Sequence, residues 1–177
     1  MQFNAIWEVP FVQVRRTLRN VELYLFWFTF TLGNLLLPML LHAVPNGGMI
    51  FLPLFFFTLV ATYSEGFLVG ILVAISSPLI NYVLTGMPML AMLPVVLFKS
   101  FFIVVAASLA SHYLKKISLP AITIIIVAMQ VLGSVFDYII SGNIERAVTA
   151  VKLGIPGMIL MAVAGYALLL LIAKMRK

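Results

Sequence analysis

The chain has 177 residues, of which 64% are hydrophobic and only 9% are charged, and its mean hydropathy is +1.19. Soluble domains are about half apolar and about a quarter charged, so this composition excludes a soluble globular protein and indicates an integral membrane protein in a lipid bilayer. Eleven lysines and arginines outnumber five acidic residues. Because the basic residues flank apolar stretches, they indicate membrane orientation, and we expect no nucleic-acid partner.

The residue types that carry most enzyme chemistry are scarce. There is no cysteine, and the two histidines, His42 and His112, stand far apart. These features exclude a disulfide and a thiolate metal site, and they argue against a metal site of histidine ligands. Neither a Walker A motif nor a GxSxG elbow is present. We therefore expect that the chain is not an enzyme and that it binds no cofactor and no metal. Any ATP hydrolysis must come from another chain.

Six apolar stretches follow a mixed N-terminal segment. Residues 1–20 combine aromatic side chains with arginines, which predicts a cytoplasmic or interfacial segment. Residues 21–177 are expected to form the transmembrane domain, because about 20 apolar residues cross a hydrocarbon core of about 30 Å. We predict helices at 21–42, 49–62, 66–84, 94–112, 119–140 and 148–173. Ser118 is expected to cap the fifth helix, with Pro120 in its first turn.

The basic residues divide unequally between the two ends of these helices. One side carries Arg15, Arg16, Arg19, Lys115, Lys116, Lys174, Arg176 and Lys177. The other side carries only Arg146 and Lys152. By the positive-inside rule, both termini are predicted to be cytoplasmic, and the uncharged turns 43–48 and 85–93 then face outward. Residues expected to act in these turns as gates are Asn46, Gly47, Gly86, Met87 and Pro88.

Polar side chains inside the spans define a candidate substrate site. By depth along their helices, Asn34, Asn81, Lys99 and Asp137 fall in the outer half of the membrane, and Gln130 lies near its middle. A lysine in an apolar span costs roughly 2.5–3.5 kcal/mol, so it is expected to have a function or a partner. The alternative is structural: Lys99 and Asp137 form a buried ion pair, and the asparagines only bridge helices.

Small residues recur at four-residue spacing in the third span, at Gly66, Gly70 and Ala74. Such a ridge lets another helix approach closely, either inside the fold or on a second membrane protein. Spacing alone leaves both alternatives open. We take the ridge as a candidate docking surface for a membrane partner.

Several segments carry a resemblance to a known family. They are GNLLLPMLLH, IFLPLFFFTLVA, LVGILVAISSPLINYVLTGMPMLAMLPVVLFK and LGIPGMIL. With them, the chain resembles the substrate-binding S components of energy-coupling factor vitamin transporters, from about Gly33 to Lys116 and again in the sixth helix. The resemblance implies a six-helix protein in a bacterial or archaeal cytoplasmic membrane. It also implies that the chain binds a vitamin-like small molecule from outside and works with a membrane coupling subunit and two ATPases.

The chain departs from that family's pattern at three places. Many relatives have a histidine where Phe55 stands and a glutamate where Lys99 stands. The alanine-xxx-alanine pattern that many members use to dock their partner is missing from the first helix, and Thr29 and Gly33 are the nearest substitute. The ligand is therefore not defined by the resemblance. The alternative function is a small multi-helix scaffold of cell-envelope assembly, similar to the rod-shape proteins, with no ligand.

Overall fold

The computed structural model describes residues 8–14, 16–41 and 47–176. Its elements are β1 (Glu8–Pro10), α1 (Val21–Leu41), α2 (Gly47–Phe51), α3 (Pro53–Glu65), α4 (Phe67–Thr85), a 3-10 helix (Leu90–Met92), α5 (Leu93–Leu114), β2 (Lys116–Ser118), α6 (Leu119–Ser141) and α7 (Ile144–Met175). Over these described ranges, six helical spans are long and apolar enough to cross a membrane, with α2 and α3 together forming the second. The predicted all-α, six-span membrane architecture is confirmed.

Local sequence signals explain where several helices begin and end. The Ser118 hydroxyl accepts a hydrogen bond from the Ala121 amide, and Pro120 lies in the first turn of α6, as predicted. Gly86 and Gly142 end α4 and α6 with φ of 71° and 66°, a left-handed conformation that glycine adopts without steric cost.

Two helices differ from the predicted spans. The second span begins at Gly47 rather than at residue 49, and it is broken at Leu52, whose φ of 52° interrupts the helix before Pro53. The last helix begins at Ile144 rather than near residue 148, because the Asn143 side chain accepts a hydrogen bond from the Arg146 amide at 2.9 Å. Arg146 therefore lies in the first turn of α7 and not in a loop.

Helix α3 is the centre of the bundle and packs against α1, α4, α5 and α7. Its side chains are buried around most of its circumference, and Leu59, Val60 and Tyr63 have no exposed surface. A helix that is buried around most of its circumference is expected at such a central position. The first three residues of α3 line a cavity at that end of the helix.

The small-residue ridge of α4 is part of this internal packing. A Cβ atom added at Gly70 would lie 2.1 Å from the Thr62 hydroxyl oxygen of α3, and Ala74 is buried. Gly66 is also buried and forms the turn between α3 and α4 with φ of 91°. The expectation that Gly66, Gly70 and Ala74 offer a docking surface is corrected, because all three are buried: Gly70 lies against α3, and Gly66 lies against the backbone of Val14.

The other two expected docking residues lie on α1. Gly33 is half-buried, and a Cβ atom there would lie 2.7 Å from the Phe57 ring. Gly33 thus also serves packing inside the bundle. Thr29 is exposed, and its hydroxyl donates to the Leu25 carbonyl of its own helix. Of the predicted docking residues, Thr29 alone lies on the surface of the described chain.

The N-terminal segment packs onto one end of the bundle, which we call the terminal end. Strand β1 pairs antiparallel with β2, the Phe11 amide donates to the Lys115 carbonyl at 2.9 Å, and the Val14 amide donates to the Ser64 carbonyl at 3.2 Å. Phe11 is buried. Residues 8–14 are therefore held against the helices by strand pairing and backbone hydrogen bonds, and the cytoplasmic or interfacial location of residues 1–20 stays a prediction.

A buried carboxylate holds both ends of the described chain at the terminal end. Glu65, which is 1% exposed, pairs with Arg16 at 2.8 Å and also with Arg176. Burial alone would lower the pKa of Arg16, but hydrogen bonds and charge from Glu65 and Glu22 raise that pKa above its ordinary value. The guanidinium therefore stays charged and paired.

Candidate ligand-binding site

The opposite end of the bundle, which we call the cavity end, encloses a cavity of about 430 Å³. This volume falls within the range of about 300–1,000 Å³ that is typical of small-molecule sites. All seven helices contribute to its lining. The residues that line it include Gly47, Leu52, Phe55, Asn81, Met87, Pro88, Val95, Lys99, Gln130, Ser134 and Asp137.

Lys99 lies about two turns into α5 and is oriented by α6 and α7. Its ammonium donates to the Gln130 side-chain oxygen at 2.9 Å, while the Gln130 amide nitrogen donates to the Ala150 carbonyl at 2.7 Å. A carbonyl can only accept, so it fixes which end of the Gln130 amide faces Lys99. Gly133 makes room for the lysine stem, since a Cβ atom there would lie 2.1 Å from Lys99 Cε. Lys99 is 6% exposed and lines the cavity.

Asp137 is paired with arginine and not with Lys99. Arg146 Nε donates a hydrogen bond to Asp137 Oδ2 at 3.2 Å, and Arg146 Nη2 lies 2.7 Å from Asp137 Oδ1, so the ion pair is a two-point contact from the first turn of α7, although Oδ1 has no well-directed hydrogen bond within the described chain. Arg146 also contacts the Met92 sulfur in the segment before α5. The alternative of a buried Lys99–Asp137 ion pair is therefore wrong, because no such contact within 4 Å exists in the part of the chain that the structure describes.

The two asparagines of the predicted site have different surroundings. Asn34 lies away from the cavity, where its amide nitrogen donates to Thr58 and Ser77 and its oxygen accepts from the Phe57 amide. All of its functional groups are used, so Asn34 bridges α1, α3 and α4, as the structural alternative predicted. Asn81 lines the cavity, and its amide nitrogen donates to the Asn34 and Ser77 carbonyls at 3.1 and 3.0 Å.

The expected gating residues are only partly placed at the cavity. Gly47, Met87 and Pro88 line it. Gly86 does not line it and instead ends α4 in a left-handed turn. Asn46 lies outside the described residues. The broken helix is the larger feature of this region: α2 lies against α7 at Gly157, where a Cβ atom would come within 2.4 Å of the Ile50 carbonyl oxygen.

Sequence reasoning missed three features of the site. Ser134 lies one turn from Gln130 on α6, lines the cavity and has an Oγ without a hydrogen-bond partner among the described residues. Arg146 was expected in a loop, although Asn143 before it is a helix-capping residue type. Methionines 49, 89 and 92 also line the cavity, beside the predicted Met87, and thioethers give adaptable apolar contact surface.

The cavity lining combines several polar side chains with a mainly apolar surface. The polar groups are the Lys99 ammonium, the Asn81 and Gln130 amides, the Thr85 and Ser134 hydroxyls and the Asp137 carboxylate. No group of three or more histidines, cysteines or acids that could hold a metal occurs among residues 8–14, 16–41 and 47–176. Comparisons with protein families, with curated proteins and with solved structures found no match to this chain. Its function must therefore be inferred from the chemistry of its own site.

Proposed function

We propose that this protein is the substrate-capture subunit of an energy-coupling factor transporter, which binds a vitamin or related micronutrient from outside. The observation that carries the proposal is the 430 Å³ cavity at one end of the bundle, lined by Asn81, Lys99, Gln130 and Asp137. The sequence resemblance to S components supports the same class. On this proposal, the protein binds its substrate without chemical change, and partner subunits supply the ATP-driven step.

Burying Lys99 is costly, which favours a ligand over a purely structural role. A scaffold protein has no need of a lysine that makes no direct ion pair in a mainly apolar cavity, since an apolar residue of similar volume would pack at no desolvation cost. Lys99 makes one hydrogen bond, to a neutral amide, within the described chain. Its remaining donors are available to a substrate.

The proposal includes an orientation and a partner. Both described chain ends lie at the terminal end, with the basic β1–β2 region, so the positive-inside rule places this end in the cytoplasm and the cavity outside. The resemblance to S components implies the cytoplasmic membrane of a bacterium or archaeon. No nucleotide motif is present, so another protein must drive uptake, and the resemblance implies a membrane coupling subunit and two ATPases.

The first experiment is purification of the protein and mass-spectrometric identification of any small molecule that copurifies with it. This compound is then titrated into the wild-type protein and into Lys99→Met. We expect Lys99→Met to remain folded and to bind at least tenfold more weakly, a loss of about 1.4 kcal/mol. The matched control is Lys152→Met, which removes an exposed lysine of α7 that does not line the cavity.

The outcomes separate the two function classes. Weaker binding in Lys99→Met with an unchanged melting temperature supports capture. Unchanged binding with a large fall in melting temperature would make Lys99 structural. Absence of any bound small molecule would favour the scaffold alternative.

The orientation has its own test, which the absence of native cysteine makes simple. A single cysteine is placed at Met89, an exposed position between α4 and α5. We expect an impermeant thiol reagent to label Met89→Cys in intact cells. Labelling only after the cytoplasmic side is opened would reverse the proposed topology.

A further inference from the structure

The charge of the cavity limits which ligands it can hold. Lys99 and Asp137 are the ionisable residues of the described lining, and Arg146 neutralises Asp137 through a two-point contact. The site as a whole therefore carries about one uncompensated positive charge, on Lys99. In an apolar chamber, a ligand with one negative charge matches it, whereas a phosphate monoester carries about −1.5 to −2. A cationic ligand would be repelled.

The unused hydrogen-bonding groups define the polar ends of the ligand. Beside the bond to Gln130, the Lys99 ammonium has two further donors, and the Ser134 hydroxyl has no partner among the described side chains and backbone. Lys99 and Ser134 belong to adjacent helices, α5 and α6, and line the same cavity. Together they offer donors to the two oxygens of one carboxylate.

Asn81 offers the opposite kind of group. Both hydrogens of its amide nitrogen are used, toward the Asn34 and Ser77 carbonyls. Its Oδ1 is left as an acceptor without a partner in the described chain, on a side chain that lines the cavity. An acceptor fixed in this way selects an N–H or O–H donor on the ligand. The rest of the lining is mainly apolar and includes Leu52, Phe55 and Val95.

We infer that the ligand is a compact, mainly apolar monocarboxylate that also carries at least one N–H or O–H donor. The carboxylate binds Lys99 and Ser134, and the donor binds Asn81 Oδ1. This inference rests on the proposed capture function and names the chemical class of its substrate. It requires three properties of one molecule: one negative charge, one donor group and an apolar body.

The test uses a matched set of probes with one ring system, titrated calorimetrically into the full chain in detergent micelles. Indole-3-acetate has the charge and the N–H donor. Indole-3-acetamide lacks the charge, tryptamine reverses it, and 1-methylindole-3-acetate lacks the ring N–H. The control for the added methyl group is 5-methylindole-3-acetate, which keeps the N–H. We expect indole-3-acetate to bind at least tenfold more tightly than the amide, the amine and the 1-methyl compound, and similarly to the 5-methyl compound.

A protein variant assigns the charge preference to its residue. In Lys99→Met, the preference for acetate over acetamide should disappear, while the preference for N–H over N-methyl should remain. The Asn81 contact is tested by N-methylation of the probe and not by substitution of Asn81. Replacing Asn81 would also break its hydrogen bonds to the Asn34 and Ser77 carbonyls and destabilise the fold. The two halves of the inference are thereby tested separately.

The outcomes distinguish this inference from the proposed function. If the amide or the amine binds as tightly as the acetate, or if N-methylation has no effect, the inferred class is wrong while the capture function stands. If no probe binds but a compound copurifies, a compound without a carboxylate or without a donor overturns the inference, and one that has both supports it. If no probe binds and no compound copurifies, both proposals fail.

Discussion

The two ends of the helix bundle use polar residues in opposite ways. At the terminal end, polar groups are paired: Glu65 lies between Arg16 and Arg176, and the Ser111 and Tyr63 hydroxyls donate to backbone carbonyls. At the cavity end, buried polar groups keep unused capacity, on Lys99, Ser134 and Asn81.

This difference distinguishes polar groups that stabilise the fold from polar groups that remain available to a ligand. Burying an unpaired polar group costs free energy, so a fold that places several around one cavity indicates that something else pairs with them. Asn34 and Asn81 show the contrast most directly, because they are linked by a hydrogen bond and yet only Asn81 lines the cavity.

The largest effect is expected at the terminal end, from Glu65→Gln. This substitution leaves two arginines facing a neutral amide, and loss of one partner from a buried ion pair typically costs about 3–5 kcal/mol. We expect a large fall in melting temperature in detergent. The control is Glu22→Gln, which removes the other carboxylate partner of Arg16.

Because the Glu22 side chain is 68% exposed, its pair with Arg16 is expected to contribute about 0–1 kcal/mol. Equal melting temperatures for the two variants would show that the terminal end is not held by Glu65. Ligand affinity of the folded fraction should be unchanged in both, since neither residue lines the cavity.

A smaller loss of stability is expected at the contact between α7 and the broken helix. Gly157→Ala would place a methyl group 2.4 Å from the Ile50 carbonyl oxygen, and backbone cannot move aside as a side chain can. Overpacking of this kind typically costs about 1–3 kcal/mol. Gly165→Ala on the same helix meets its nearest atom at 3.6 Å, so it should be neutral or slightly stabilising. Thermal melts of the two variants test this prediction, and similar melting temperatures would contradict the close packing of α2 against α7.

Gly133→Ala should affect binding more than stability. The new methyl group meets the stem of Lys99, which is flexible and can shift. We expect the protein to fold and its affinity for an anionic ligand to fall severalfold, up to about 1.4 kcal/mol, because the ammonium leaves its place beside Gln130. Titration of the variant measures this change, and an unchanged affinity would mean that the position of Lys99 is unimportant.

Much of the fold was accessible from sequence, because long apolar stretches must cross the bilayer as helices. The start of α6 was predicted from Ser118 and Pro120. The break at Leu52 was not, since a left-handed leucine is disfavoured locally and is held there by tertiary packing. The β1–β2 pair joins three-residue segments more than a hundred positions apart, and no local pattern predicts such a contact.

Of the five polar residues expected at the site, four line the cavity, but their pairing was not predicted. Asn81, Lys99, Gln130 and Asp137 line the cavity because polar side chains in spans turn toward the protein interior. Depth along a helix does not give the direction in which a side chain points, so Asn34 could not be separated from Asn81. For the same reason Asp137 was considered a partner of Lys99, whereas Arg146 holds it. Nothing in the sequence indicated Ser134 as a site residue, since serine and threonine occur commonly in membrane helices.

The smallest effect is expected from replacing either of two buried serines. Ser134 and Ser100 are buried, and each has an Oγ without a partner among the residues that the structure describes, but only Ser134 lines the cavity. Replacing an unpaired buried hydroxyl by hydrogen removes a desolvation cost, so both Ser134→Ala and Ser100→Ala should raise the melting temperature slightly. If Ser134 donates to a bound carboxylate, its loss should also weaken binding of an anionic ligand by a few fold, about 1 kcal/mol, which is the typical net contribution of one hydrogen bond. Ser100→Ala should leave binding unchanged. A melt and a titration on each variant test this pattern. Equal affinity in the two variants would remove Ser134 from the binding site and leave Lys99 as the sole donor to the anion.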